Sequence, residues 1–150
     1  MTNGNTNHGE TFTYVVYINA SAERVWEALT TGSFTQQYWG GRIVQSDWQI
    51  GSSVRFIKTD GRFDWEGKVL QCDPPNLLSY TWESKGMVQS QVTFSLKYQA
   101  PNTRLMLVQE PLTGDDQRKA VIKEGWWAIL SSLKTLLERG EALSYPYWRD

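Results

Sequence analysis

The sequence predicts an α+β fold, a curved antiparallel sheet covered on one face by a long C-terminal helix. Three observations lead there. From Arg118 to Arg139 the apolar residues Ile122, Trp126, Ile129, Leu130, Leu133, Leu136 and Leu137 recur at the three-then-four spacing of one helix face. Between Arg42 and Gln109 the pattern changes to alternation, in six runs separated by short turn-forming stretches. Those gaps are hairpin-length, so the strands pair antiparallel, and the long helix is the element large enough to cover the sheet's apolar face.

The elements follow in order. Phe12 to Ile18 is rich in β-branched and aromatic residues and reads as a strand. Asn19-Ala20-Ser21 breaks it, and Ser21 caps a helix over Ala22 to Thr30 with Val25, Trp26 and Leu29 as its inner side. Ser33 caps a short second helix, Phe34 to Tyr38, which opens into Trp39-Gly40-Gly41. The expected strands are Arg42 to Asp47, Ser52 to Thr59, Arg62 to Cys72, Leu77 to Trp82, Val88 to Tyr98 and Arg104 to Gln109, with Pro111 ending the last. The turns between them are Gln49-Ile50-Gly51, Asp60-Gly61, Asp73-Pro74-Pro75-Asn76, Lys85-Gly86 and Pro101-Asn102.

Alternation also sorts the faces. Val88, Val92, Phe94, Leu96 and Tyr98 share one side; Phe63, Trp65, Gly67 and Val69 form a second apolar row, and Leu78, Tyr80 and Trp82 a third. Asp64, Glu66 and Lys68 face the other way. Asp115 and Asp116 cap the long helix, and Arg139 with Gly140 closes it. Gly125 stands out. A glycine inside a helix costs about 1 kcal/mol relative to alanine, which predicts that something approaches the helix closely there or needs room beside it.

Bulk properties bound the function. At 150 residues the chain has the length of one domain able to bury roughly 70% of its unfolded surface. The expected organisation is a polar, disordered leader over 1–11, a single domain over 12–140 and a C-terminal tail over 141–150. A net charge of -1 with 15 scattered cationic residues offers no patch for nucleic acid. One cysteine, Cys72, forms no internal disulfide, and the sequence has neither a signal peptide nor a membrane span, so the expected setting is the cytoplasm. The tail residues Tyr145, Pro146, Tyr147 and Trp148 pack back on the domain or touch a partner.

The catalytic inventory is thin. The one histidine, His8, lies in the leader, which leaves no histidine-based triad and no zinc set, and no cofactor is expected. Glycine-rich nucleotide or phosphate fingerprints are absent. Asp64 and Glu66 read as solvated charges, Glu110 as the start of a loop, and Cys72 as a structural thiol without a neighbouring cation. What stands out is aromatic. Eight tryptophans exceed what a core of this size needs, which points to a pocket wall as well as a core. Trp65, Trp82 and Phe94 come from the sheet, Trp126 and Ile129 from the helix, and Trp39 from the second helix's end. These six are the candidate ligand-binding residues, and the expected partner is an apolar small molecule.

Several segments together resemble a known family. Ala20-Ser21-Ala22-Glu23-Arg24-Val25-Trp26-Glu27-Ala28-Leu29-Thr30, Tyr38-Trp39, Gly67-Lys68-Val69-Leu70 leading to Asp73-Pro74-Pro75, Leu77-Leu78-Ser79-Tyr80-Thr81-Trp82 and Gly125-Trp126 are similar to the activator of heat-shock-protein-90 ATPase homologue family. That family belongs to the START-like, or SRPBCC, superfamily related to the birch-pollen allergen. The similarity runs from Phe12 to Leu137. It implies a helix-grip fold, in which the sheet wraps the helix around a hydrophobic cavity, and superfamily members that bind lipids or other apolar molecules. It also implies two alternatives. One is a protein-interaction module, or co-chaperone-like regulator of a heat-shock ATPase in the stress response; the other is a cyclase- or hydrolase-type enzyme.

Overall fold

A computed structural model describes residues 9–83 and 88–144 of the chain. Its elements are β1 (Glu10–Ile18), α1 (Ala22–Thr30), α2 (Gly32–Tyr38), β2 (Ile43–Gln45), β3 (Ser53–Ile57), β4 (Phe63–Asp73), β5 (Leu77–Trp82), β6 (Ser90–Gln99), β7 (Asn102–Leu112) and α3 (Asp116–Arg139). The seven strands form one antiparallel sheet in the order β1-β7-β6-β5-β4-β3-β2. Consecutive strands pair as hairpins from β2 to β7. The first strand instead joins the last, and α1 and α2 fill the chain between the two edges. This is the expected α+β helix-grip architecture, with α3 held against the sheet's inner face.

The ends of α1 and α3 carry the chemistry their sequences announce, but the start of α2 does not. It begins at Gly32 after Thr31 with no side-chain cap, so Ser33 lies within its first turn and is not the expected cap. Ser21 Oγ accepts the Arg24 N–H at 3.1 Å, and Asp115 Oδ1 accepts the Arg118 N–H at 2.8 Å. Gly140 closes α3 at φ 87°, its N–H reaching the Leu136 carbonyl at 2.8 Å. Along α3, Trp126, Ile129, Leu130, Leu133 and Leu136 are buried on the sheet side. Opposite them lie the inner rows of the sheet, Leu78 and Tyr80 on β5, Val92, Phe94 and Leu96 on β6, and Leu105 and Leu107 on β7.

An edge strand offers unpaired backbone groups, and here α3 covers the edge at β1. Lys134 Nζ donates to the Tyr17 carbonyl, Glu138 accepts the Asn19 N–H at 2.7 Å, and Glu10 pairs with Lys123 at 2.7 Å. Beyond α3, Ser132 Oγ accepts the Leu143 N–H at 3.1 Å, which ties the chain just after the helix back to it. His8, the Lys85-Gly86 turn and Tyr145 to Trp148 lie outside the described residues.

Four further expectations need correction. The last strand does not stop at Gln109 but runs through Pro111 to Leu112, because β1 begins at Glu10 and supplies a partner there. A register shift between Glu10 and Phe12 takes up the missing proline N–H. β6 begins at Ser90, whose partner Trp82 closes the ladder, so Val88 lies before the strand and is exposed. At the far end of the same strand Tyr98 is exposed as well, beyond the reach of the helix layer. Finally, Phe63 does not continue the row of Trp65. A bulge at Asp64 sets Ile57 opposite Phe63 and Phe56 opposite Trp65, which turns Phe63 out to meet the Arg55 guanidinium at 5.0 Å.

Gly67 marks where two backbones approach. A Cβ built there would lie 1.8 Å from the Thr81 carbonyl oxygen, so only glycine fits. The ladder gives way locally, and the Lys68 N–H turns to Thr81 Oγ1 at 2.8 Å.

Candidate functional site

The candidate residues reach one another from five elements. Trp39 ends α2, where Gly40 and Gly41 at φ 60° and 80° turn the chain away and leave the indole against the sheet. Trp65 on β4 and Trp82 on β5 stack at 3.5 Å between ring centroids. From α3, Trp126 meets three rings edge-on: Trp82 at 5.2 Å, Trp39 at 5.5 Å and Phe94 at 6.0 Å. Ile129, one turn further along α3, is buried on the same side. Five rings thus form one connected wall. Trp82 is its half-buried member and the others are buried.

Neighbouring tryptophans on α3 separate as a helix requires. About 100° of rotation divides successive residues, so Trp126 is 2% exposed while Trp127 is 46% exposed. The chain position before them is open. A Cβ at Gly125 would meet nothing within 4 Å, which leaves room beside the helix and rules out the close approach.

Sequence reasoning missed four contributors. Phe56 joins the wall by stacking on Trp65 at 4.1 Å and lying 4.5 Å from Trp39, and the alternation of Val54 and Phe56 was the available signal. Gln109 is buried at the centre. Its Oε1 accepts the Trp126 indole N–H at 2.6 Å and its Nε2 donates to Ser90 Oγ at 2.9 Å. Gln109 has the parity of Leu105 and Leu107, which would have placed it inside. Tyr38 and Tyr80 are the third and fourth. Tyr38 donates its hydroxyl to the Ala28 carbonyl at 2.8 Å, and Tyr80 lies between Trp65 at 6.2 Å and Phe94 at 6.1 Å. Burial pushes both phenols well above the usual tyrosine range, Tyr38 further through the charge of a nearby Tyr80.

The carboxylates stand outside this wall. Asp64 pairs with Arg42 at 2.8 Å, Glu66 with Arg55 at 3.2 Å, and exposed Glu110 accepts the Thr11 hydroxyl at 3.0 Å. The Cys72 thiol is raised by burial and by Asp73, which keeps it protonated. Among the described residues no group of three or more His, Cys, Asp or Glu side chains could hold a metal ion, and no helix is long and apolar enough to cross a membrane. A separate, open cleft of about 660 Å³ lies where the arms of the β2–β3 hairpin diverge, between Ser46-Asp47 and Gly51-Ser52-Ser53, with Thr30 on its wall.

The same fold recurs in solved structures. The Aha1 dimer from Colwellia psychrerythraea is 20% identical, matching 89% of this chain and 99% of its own at a TM-score of 0.76. An HSP90 activator from Plasmodium falciparum is 16% identical over 87% of this chain and 97% of its own, at 0.73. DynU16, from the dynemicin biosynthetic locus, is 26% identical over 93% of this chain at 0.78, and the match spans 51% of that longer chain. No curated protein matches the sequence. The family described as Activator of Hsp90 ATPase homolog 1-like protein matches residues 19–138, four fifths of the chain, and the protein therefore belongs to that START-like family.

Proposed function

We propose that the unit over 12–140 binds an apolar, aromatic small molecule between the sheet and α3, in the cytoplasm, against Trp39, Trp65, Trp82, Phe94, Trp126 and Ile129. The observation that carries this reading is the connected wall of rings around Trp126. Flat aromatic surfaces with a few fixed polar groups suit a flat apolar ligand. The Gln109 bond fixes the plane of the Trp126 indole. Half-buried Trp82 and the open space at Gly125 both flank Trp126, which makes that side the approach. The likeness to DynU16, a protein of a biosynthetic locus, supports a role with small molecules.

Binding of N-phenyl-1-naphthylamine, a neutral apolar fluorophore, followed by its emission and by tryptophan quenching, tests the proposal. Trp126→Ala removes the centre of the wall and weakens the probe at least tenfold, whereas Trp127→Ala on the helix flank leaves affinity within about twofold. Equal effects of the two substitutions, or no probe binding to the folded protein, would sink it.

Family membership favours a second reading, a co-chaperone-like contact with a heat-shock ATPase. Its test is the ATPase rate of the chaperone with and without the protein. An unchanged rate and no complex on size-exclusion chromatography count against it. The outward positions of Glu66, ion-paired with Arg55, and of exposed Glu110, which accepts the Thr11 hydroxyl, offer no support for the enzyme alternative, which needs a desolvated acid inside.

A further inference from the structure

Tyr80 carries a donor with nothing to donate to. It is 1% exposed, at the centre of β5's inner face, enclosed by Trp48 at 6.3 Å, Trp65 at 6.2 Å and Phe94 at 6.1 Å. The other buried phenol, Tyr38, is committed to the Ala28 carbonyl, and among the described residues the Tyr80 hydroxyl forms no hydrogen bond. Yet no sealed-off side-chain oxygen or nitrogen of the described residues lacks a partner. The small surface that Tyr80 retains is therefore at its hydroxyl oxygen, which borders space wide enough for a water-sized group.

Buried polar groups are ordinarily satisfied, and the exceptions mark places where something else supplies the partner. Two features say what that partner is. Burial holds the phenol in its protonated form, so it offers a proton and calls for an acceptor. Among the described residues no charged side chain is buried, so none can lie beside the phenol as a counter-charge. An anionic acceptor would be left without a counter-charge, and a neutral oxygen would not.

We infer that the Tyr80 hydroxyl is the hydrogen-bond anchor of the aromatic pocket, and that the pocket selects a neutral aromatic molecule carrying a carbonyl or ether oxygen over the plain hydrocarbon. This rests on the pocket proposed above. The anchor sits where the wall turns from Trp65 and Phe94 toward Trp48, so a planar ligand lying along the rings presents its edge oxygen to the phenol.

The test compares fluorenone with fluorene, two flat tricycles that differ by a carbonyl in place of a methylene, in equilibrium dialysis against the whole protein and Tyr80→Phe. The wild type binds fluorenone about tenfold more tightly than fluorene, as one recovered hydrogen bond to a buried donor supplies. Tyr80→Phe binds both alike at the wild-type affinity for fluorene. Its Tm at neutral pH is equal to the wild type's or higher, because the substitution removes an unsatisfied donor. A preference that survives in Tyr80→Phe, or a variant whose Tm falls by several degrees because the hydroxyl holds a structural partner, overturns the anchor and leaves the pocket standing. Binding of fluorene without any preference for fluorenone does the same. Failure of both compounds to bind the wild type overturns pocket and anchor together.

Discussion

Two buried phenols make the fold sensitive to alkali, and the size of the effect follows from their number. In the unfolded chain Tyr38 and Tyr80 ionise near pH 10, while burial keeps both protonated well above that in the folded protein. A group whose folded pKa is raised contributes stability that is complete below the unfolded pKa and is lost as pH rises toward the folded one. Above about pH 10 the folded state therefore holds two protons that the unfolded state has released. The slope is about 1.4 kcal/mol per pH unit per group, or ~2.7 kcal/mol per unit for the pair. Between pH 10 and 11 the unfolded phenols go from half to almost fully ionised, so the pair loses about 2 kcal/mol there. For a chain of this size that lowers Tm by roughly 4–8 °C. Lysine pairs such as Lys123 with Glu10 weaken in the same range, so variants isolate the phenol contribution. Thermal unfolding from pH 8 to 11.5 should show Tyr38→Phe and Tyr80→Phe each removing about half of it and the double variant all of it. A double variant with the wild-type slope would refute the argument.

Other consequences are as direct. Gly125→Ala adds a methyl group to open space inside a helix and should raise stability by about 0.5–1 kcal/mol, whereas Gly67→Ala drives a methyl into the Thr81 carbonyl and should cost about 3 kcal/mol; urea unfolding reads both. Gln109→Leu strands the Trp126 indole N–H and the Ser90 hydroxyl, and should cost roughly 1–3 kcal/mol in the same assay, with a shifted Trp126 indole proton resonance. The hydrogen bond from Lys123 holds the Glu10 carboxyl below its usual range, so its contribution is present above about pH 4.3 and lost as pH falls through the lower folded pKa. Lys123→Ala should move the Glu10 titration, followed by NMR, back up toward that value.

The fold was legible because its signals are periodic. The stripe on α3, the caps at Ser21, Asp115 and Gly140 and the alternation of β5 and β6 are local patterns, and local geometry obeys them. The errors fall where a distant partner overrode the pattern. Pro111 reads as a terminator, but β1 reaches back far enough to pair beyond it. Phe63 reads as inward, but a single extra residue at Asp64 reverses its face, and a bulge leaves no mark in the hydrophobic pattern. The site divides in the same way. Its rings could be listed from alternation, and Trp126 could be separated from Trp127 by rotation alone. Gln109, Tyr38 and Tyr80 matter through the partners their polar atoms meet or fail to meet, which depends on packing.

Gly125 and Gly67 show how the two kinds of information combine. Both are glycines inside regular elements, but the sequence singles out only Gly125, as a place where something approaches closely or needs room, and reads Gly67 as one member of an apolar row. At Gly67 the Thr81 carbonyl occupies the position of the missing Cβ. At Gly125 nothing among the described residues does, so the helix gives up about 1 kcal/mol of propensity with no packing cause among them. The residue that follows is Trp126, whose ring touches Trp39, Trp82 and Phe94 and whose N–H is held by the sheet. The proposed ligand would reach the hub of the aromatic wall through that open space. Gly125→Ala therefore separates the two demands: it should stabilise the free protein while reducing its affinity for a probe that uses the space.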